Sequence, residues 1–139
     1  MSDHAKTPGR LARDVLWRGS VGSFGIEKVE LPGGHRGPGE DPQLCGTREL
    51  EEETGYRARR VERSGEILTS PGFSDERIHL FCAWELEPGT VRHEPSELIE
   101  VRELRLEQAL DMVATGEIVD AKSIVALQHA ARRVARGLG

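Results

Sequence analysis

Aromatic residues are scarce in this 139-residue chain, at 4% of the total. Hydrophobic residues reach 37%, enough for one compact core, and the length suits one domain rather than two. Cysteine is nearly absent. Cys45 and Cys82 form no zinc motif, so the expectation is two free, buried thiols in a reducing cytoplasm. There is no basic excess: the formal net charge is -5 and the pI is about 5.6. That balance argues against general binding of nucleic acid or anionic membranes, both of which want a basic face. No apolar run approaches the roughly 18–20 residues that span a bilayer. The first residues, "MSDHAKTPGR", lack the apolar core of a signal peptide. A phosphate-bearing substrate stays open, because a metal ion can bridge acidic side chains to phosphates.

What is present is punctuation. Residues 1–10 read as a tail. From Leu11 to Val29 the pattern predicts one or two short strands around a glycine-rich turn. "LPGGHRGPGE" is a loop. Asp41 followed by Pro42 starts a helix, and Gly55 ends it. "RVERSGEILTS" and "RIHLFCAWEL" read as strands joined by "SPGFSDE". "PGTVRHEPSE" is a loop and "LIEVREL" a strand. Two helical segments, "LRLEQALDMVATGE" and "DAKSIVALQHAARRVARGL", close the chain. This order predicts an α/β (α+β) fold with helices packed on a mixed sheet.

Within the first helix, four of the five residues from Glu49 to Glu53 are glutamates. Like charges this close repel. At about 100° per residue, Glu49, Glu52 and Glu53 share one face and Glu51 points away to solvent. Leu44, Thr47 and Leu50 fall on the other side, where a sheet would receive them. No Lys lies between Gly39 and Tyr56, and Arg48 is the one cation there. Most glutamate-rich helices are solvated faces paired with Lys or Arg. Here three converging carboxylates with so little basic company suit a hard divalent cation instead.

The wider spacing is more specific. Gly34, five residues, Glu40, seven residues, then "RELEEETGY" at Arg48–Tyr56 resembles the complete signature of the Nudix hydrolases. The final position, Tyr56, departs from the usual aliphatic residue. The resemblance implies a Nudix-type sheet flanked by helices, in a domain spanning 31–139 after an N-terminal tail and short hairpin at 1–30. It also implies hydrolysis of a nucleoside diphosphate linked to another moiety, with Mg²⁺ or Mn²⁺ as cofactor. Glu49, Glu52 and Glu53 then correspond to metal ligands, joined by a backbone carbonyl near Gly33 or Gly34. Arg48 and Glu40 brace the loop and helix, with Gly34 and Gly55 as structural positions. The acidic loop "HEPSELIEV" would supply a general base or further ligand: Glu97 by its spacing, or Glu94, displaced by Pro95. His93 and His79 are expected to be structural or exposed.

"TSPGFSDERIHLFCAWEL" resembles the ADP-ribose pyrophosphatase branch, with Pro71 sixteen residues past Gly55. Pro71, Gly72, Phe73 and Ser74 then become substrate-binding candidates, although "SPG" is also ordinary turn chemistry. "TGEIVDAKS", Thr115–Ser123, resembles a tail pattern of the same branch. The implied substrate is ADP-ribose or a related nucleoside diphosphate sugar, the implied state a cytoplasmic homodimer. Two features depart from relatives. Gly46 stands inside the helix where alanine is favoured, at a cost of roughly 1 kcal/mol. The N-terminal strands also look incomplete, so that Gly33 and Gly34 either open the signature or belong to a hairpin turn. A sheet left short in this way would suit a nucleotide-binding module with weak turnover, the alternative to an enzyme.

Overall fold

The computed structural model describes residues 14–21, 27–93 and 99–138, with side chains described from residue 29 onward. The elements run β1 (Asp14–Val21), β2 (Glu27–Glu30), α1 (Pro42–Thr54), β3 (Tyr56–Leu68), β4 (Arg77–Pro88), β5 (Ile99–Arg105), α2 (Leu106–Ala114) and α3 (Ala121–Ala135). One sheet has the order β2-β1-β5 and the other is the β3–β4 hairpin. Every pairing among the described residues is antiparallel. The N-terminal hairpin is integral rather than peripheral. Its first strand is central, with Asp14 opposite Arg105 and Ser20 opposite Ile99.

The β3–β4 hairpin is sandwiched between two helices. Side chains alternate faces along a strand. Phe81 turns to α1, where Gly46 lies over its ring; a Cβ on Gly46 would stand 3.3 Å from Phe81 Cδ2. The helix-interior glycine thus allows close packing, which offsets its propensity cost. The opposite face carries Trp84, buried between the guanidinium groups of Arg60 and Arg133 at 5.1 and 5.9 Å from the ring centroid. Arg133 of α3 also pairs with Glu62. At a bulge between Arg63 and Gly65 the α3 residue His129 bonds the Ser64 carbonyl at 2.9 Å. A Cβ on Gly65 would collide with that imidazole.

The aliphatic core lies under α2 and α3. Leu106, Ala109, Ile118 and Leu127 form it, with Leu31, Leu104, Ile124 and Val134 packed around. Burying an aliphatic side chain of this size contributes about 1.5–3 kcal/mol. The turn between the helices is closed by Glu117 and Ile118 N–H groups on the Met112 carbonyl. Both cysteines are free, as expected, but Cys82 is only half-buried. Among the described residues no helix is long and apolar enough to cross a membrane.

Candidate active site

Helix α1 is built at both ends as its sequence dictates. Asp41 is extended and its Oδ1 accepts from the Gln43 and Leu44 N–H groups, with Pro42 at the first helical position. Gly55 adopts the left-handed conformation, φ 76°, and its N–H returns to the Glu51 carbonyl at 2.8 Å.

The face this helix buries differs from the expected one. Leu44 is 65% exposed, whereas Cys45 and Glu53 are 4% and 3% exposed. Residues 45, 49 and 53 stand one turn apart, so the acidic face and the packed face coincide. Of the expected inward side, Leu44, Thr47 and Leu50, only Leu44 is exposed; Thr47 and Leu50 are half-buried. The sheet instead receives the small Gly46, and the carboxylates are drawn in with it.

Arg48 organises those carboxylates. It donates through Nε and Nη2 to both oxygens of Glu40, at 2.9 and 3.2 Å. Its Nη1 donates to Glu49 at 3.1 Å and to Glu52 at 3.0 Å. The same guanidinium reaches the His35 carbonyl. The Arg48 hydrogen bonds, followed by the Gly37 N–H, hold the Glu40 carboxyl down at about 2. Glu40 in turn pushes the Arg48 guanidinium further up.

Gly33 and Gly34 run beside this face. The Gly33 N–H donates to Glu53 Oε2 at 3.1 Å. A Cβ on Gly34 would come within 2.4 Å of the Glu49 carboxyl carbon, so the glycine leaves the room that this side chain occupies. The two glycines therefore meet the helix rather than standing apart in a distant hairpin turn. Their loop is anchored from behind. Leu31 N–H donates to Ser123 Oγ at 2.9 Å, and Lys122 pairs with the buried Glu30 at 3.1 Å.

The last turn of α1 is tied to the loop after β4. Gly89 N–H donates to the Gly55 carbonyl, Arg92 N–H to that of Glu52, and His93 Nε2 to that of Glu53 at 2.8 Å. His93 is structural, as expected. Glu51 does point away from the cluster, but it is not simply solvated. It accepts from Arg57 at 3.0 Å and from the Thr90 N–H at 3.2 Å, and Arg57 lowers its pKa. Sequence reasoning missed this docking because a loop of polar residues carries no periodic signal. Glu94 and Glu97 lie outside the described residues.

The Pro71–Ser74 segment forms the tip of the β3–β4 hairpin, closed by Phe73 and Ser74 N–H groups on the Ser70 carbonyl. Phe73 is 89% exposed. β3 starts where α1 ends and its 13 residues run out to this tip, while α1 folds back over the hairpin with Gly46 against Phe81.

Glu49, Glu52 and Glu53 offer hard oxygen donors with glycine backbone alongside, a donor type that suits Mg²⁺ or Mn²⁺. Among the described residues no three acidic, His or Cys side chains converge at metal-ligand distance. Arg48 stands between Glu49 and Glu52 instead.

Comparison with known proteins gives the chain its relatives. The chain is 44% identical over 103 residues to an ADP-ribose pyrophosphatase of Bacillus subtilis (strain 168), covering 73% of this chain and 56% of that protein. It is 42% identical over 94 residues to a GDP-mannose pyrophosphatase of Cronobacter sakazakii (strain ATCC BAA-894), covering 65% and 49%. The chain thus spans about half the length of the curated relatives it matches. A crystal structure of an ADP compounds hydrolase superposes with a TM-score of 0.79 at 18% identity, covering 100% of this chain and 70% of that one, which shows a shared fold. The NUDIX domain profile matches residues 11–127. The chain therefore belongs to the NUDIX family.

Proposed function

We propose that this chain hydrolyses the pyrophosphate bond of ADP-ribose or a related nucleoside diphosphate sugar, releasing AMP or the corresponding nucleoside monophosphate and a sugar phosphate. The observation that carries the reading is the Arg48-braced face of Glu49, Glu52 and Glu53 beside the Gly33–Gly34 backbone. The names of the relatives at 44% and 42% identity support the substrate class. Those three glutamates would hold Mg²⁺ or Mn²⁺. When bound, the cation supplies charge neutralisation at the pyrophosphate and acidifies a water. Arg48 fixes the rotamers of two of the carboxylates and keeps Glu40 ionised. Glu97, with Glu94 as the alternative, takes the proton of the attacking water, which requires reach within roughly 3 Å or through one more water.

Pro71–Ser74 is an exposed hairpin tip, and such a loop is available to reach the substrate of a second subunit. That is the argument for a homodimer. Two free thiols favour a reducing, cytoplasmic setting. The second reading is a nucleotide-binding module with weak turnover, favoured by the absence of a preformed three-ligand cluster among the described residues.

A panel of ADP-ribose, GDP-mannose and nucleoside triphosphates, each with and without Mg²⁺ or Mn²⁺ and read by product mass, tests the proposal. AMP and ribose phosphate formed only with metal are expected. Calorimetric binding of ADP-ribose without product would leave the binding module. Glu97→Gln is expected to abolish most turnover while binding survives, with a smaller effect from Glu94→Gln.

A further inference from the structure

The tail segment Asp120–Ser123 lies 92 residues beyond the loop that faces the glutamate helix, yet it is bonded to that loop. Ser123 is wholly buried. Its Oγ accepts from the Leu31 N–H at 2.9 Å and donates to Asp120 Oδ2 at 2.6 Å. Asp120 is the N-cap of α3, accepting from the Ser123 N–H at 3.0 Å, and its other oxygen takes Lys122 at 2.7 Å. Lys122 also reaches Glu30, buried at the end of β2. Burial opposes ionisation of Asp120, but Lys122 and Ser123 outweigh it and keep the carboxyl below its usual range. Glu30 and Leu31 are therefore pinned side by side on α3. Two residues further on, past Pro32 with its fixed φ, the Gly33 N–H bonds the carboxylate of Glu53.

We infer that Asp120, Lys122 and Ser123 are positioning residues for the active site, holding the Leu31–Gly34 backbone so that the Gly33 N–H orients Glu53 and Gly34 makes room for Glu49. The inference rests on the metal-carboxylate reading above. A helix cap alone would explain Asp120 and the Ser123 N–H. It does not explain why the Ser123 hydroxyl is spent on Leu31, or why Lys122 turns to Glu30. Groups bonded directly to a metal ligand are worth about 10–100-fold in metal affinity; the Gly33 N–H is such a group, and Ser123 acts on it through the Leu31–Gly33 backbone.

The test compares Ser123→Ala, Ser123→Thr and the core variant Ile118→Val, all far below their melting midpoints. The readouts are Mn²⁺ affinity by calorimetry, amide exchange at Leu31 and Gly33, and turnover of ADP-ribose. Ser123→Ala is expected to weaken Mn²⁺ binding by about tenfold or more and to speed exchange at both amides. Ser123→Thr, which keeps the hydroxyl, is expected to restore both. Ile118→Val, which loosens the core that Leu31 packs on but leaves the Leu31 N–H bond to Ser123 in place, should bind Mn²⁺ like wild type. Wild-type Mn²⁺ affinity in Ser123→Ala overturns the inference, and so does an equal loss in Ile118→Val. If Ser123→Ala does not fold, Lys122→Met at the half-exposed neighbour decides, with about threefold weaker Mn²⁺ binding expected and unchanged binding overturning it. A wild-type protein that binds no Mn²⁺ overturns the underlying reading and the inference with it, an outcome distinct from a variant that matches a metal-binding wild type.

Discussion

The two helices that enclose the β3–β4 hairpin bury opposite kinds of surface. α3 turns an aliphatic seam inward, Leu127 with Ile124, Ala131 and Val134 around it, and its polar contacts, from the first turn and from His129 and Arg133 against the hairpin, are all neutral or charge-paired. α1 buries Cys45, Glu53 and Thr54, and its packed side carries the carboxylates. A buried carboxylate costs free energy unless bonds and counter-charges offset it. α3 is therefore arranged for stability. α1 is held against its own electrostatics by Arg48, the Gly33 N–H and the loop from Gly89 to His93.

Four variants or conditions sharpen that contrast. The largest effect is expected for Glu53→Gln. Turnover should fall by about 100-fold or more, because a ligand charge is lost where transition-state charge is neutralised. The melting temperature should hold or rise, since an amide still accepts from Gly33 without the repulsion. A melt that collapses along with the activity would show Glu53 to be structural. Leu127→Ala is the mirror image. It should cost about 2–5 kcal/mol of stability by denaturant unfolding while the folded fraction keeps most of its turnover. A selective loss of turnover would mean that the aliphatic seam serves the site.

The pH effect is smaller. Glu40 is depressed by Arg48 from 4.5 to about 2. Its folded pKa lies below the unfolded one, so its contribution is complete above pH 4.5 and is lost as pH falls toward 2. Glu40→Gln should flatten that portion of the stability curve, and unaltered pH dependence would deny the brace. The smallest effect belongs to Glu51→Gln. Loss of the Arg57 pair and a weaker bond from Thr90 should lower the melting midpoint slightly and leave kcat unchanged. A kcat loss comparable to that of Glu53→Gln would place Glu51 among the ligands.

Much of α1 was legible in the sequence, because caps and spacing are local. Asp41, Pro42 and Gly55 stand where their chemistry demands, and the one-sided placement of Glu49, Glu52 and Glu53 follows from helical geometry, although among the described residues no three such side chains converge at metal-ligand distance. The direction of burial was not legible. A helical wheel orders residues around an axis but does not say which side the sheet meets, and Leu44 misled because apolarity usually marks that side. Gly46 decided it by offering Phe81 a flat landing. Strand pairing of β1 with β5 and the bond from Leu31 to Ser123 link residues far apart in sequence, where no local signal reaches.

That last bond has a consequence for the order of folding. The Gly33–Glu53 contact closes a loop of 20 residues, whereas Leu31–Ser123 closes one of 92. For flexible loops the second closure costs about 1.3 kcal/mol more entropy than the first. Helix α1 and the hairpin after it can form early from neighbouring contacts. The glycine backbone beside Glu53 receives its anchor only when α3 docks, one of the most non-local events in the chain. Full alignment of the carboxylates is then a late step. A refolding experiment should find helical signal recovering before Mn²⁺ binding does, and simultaneous recovery would show that the site assembles without its distant anchor.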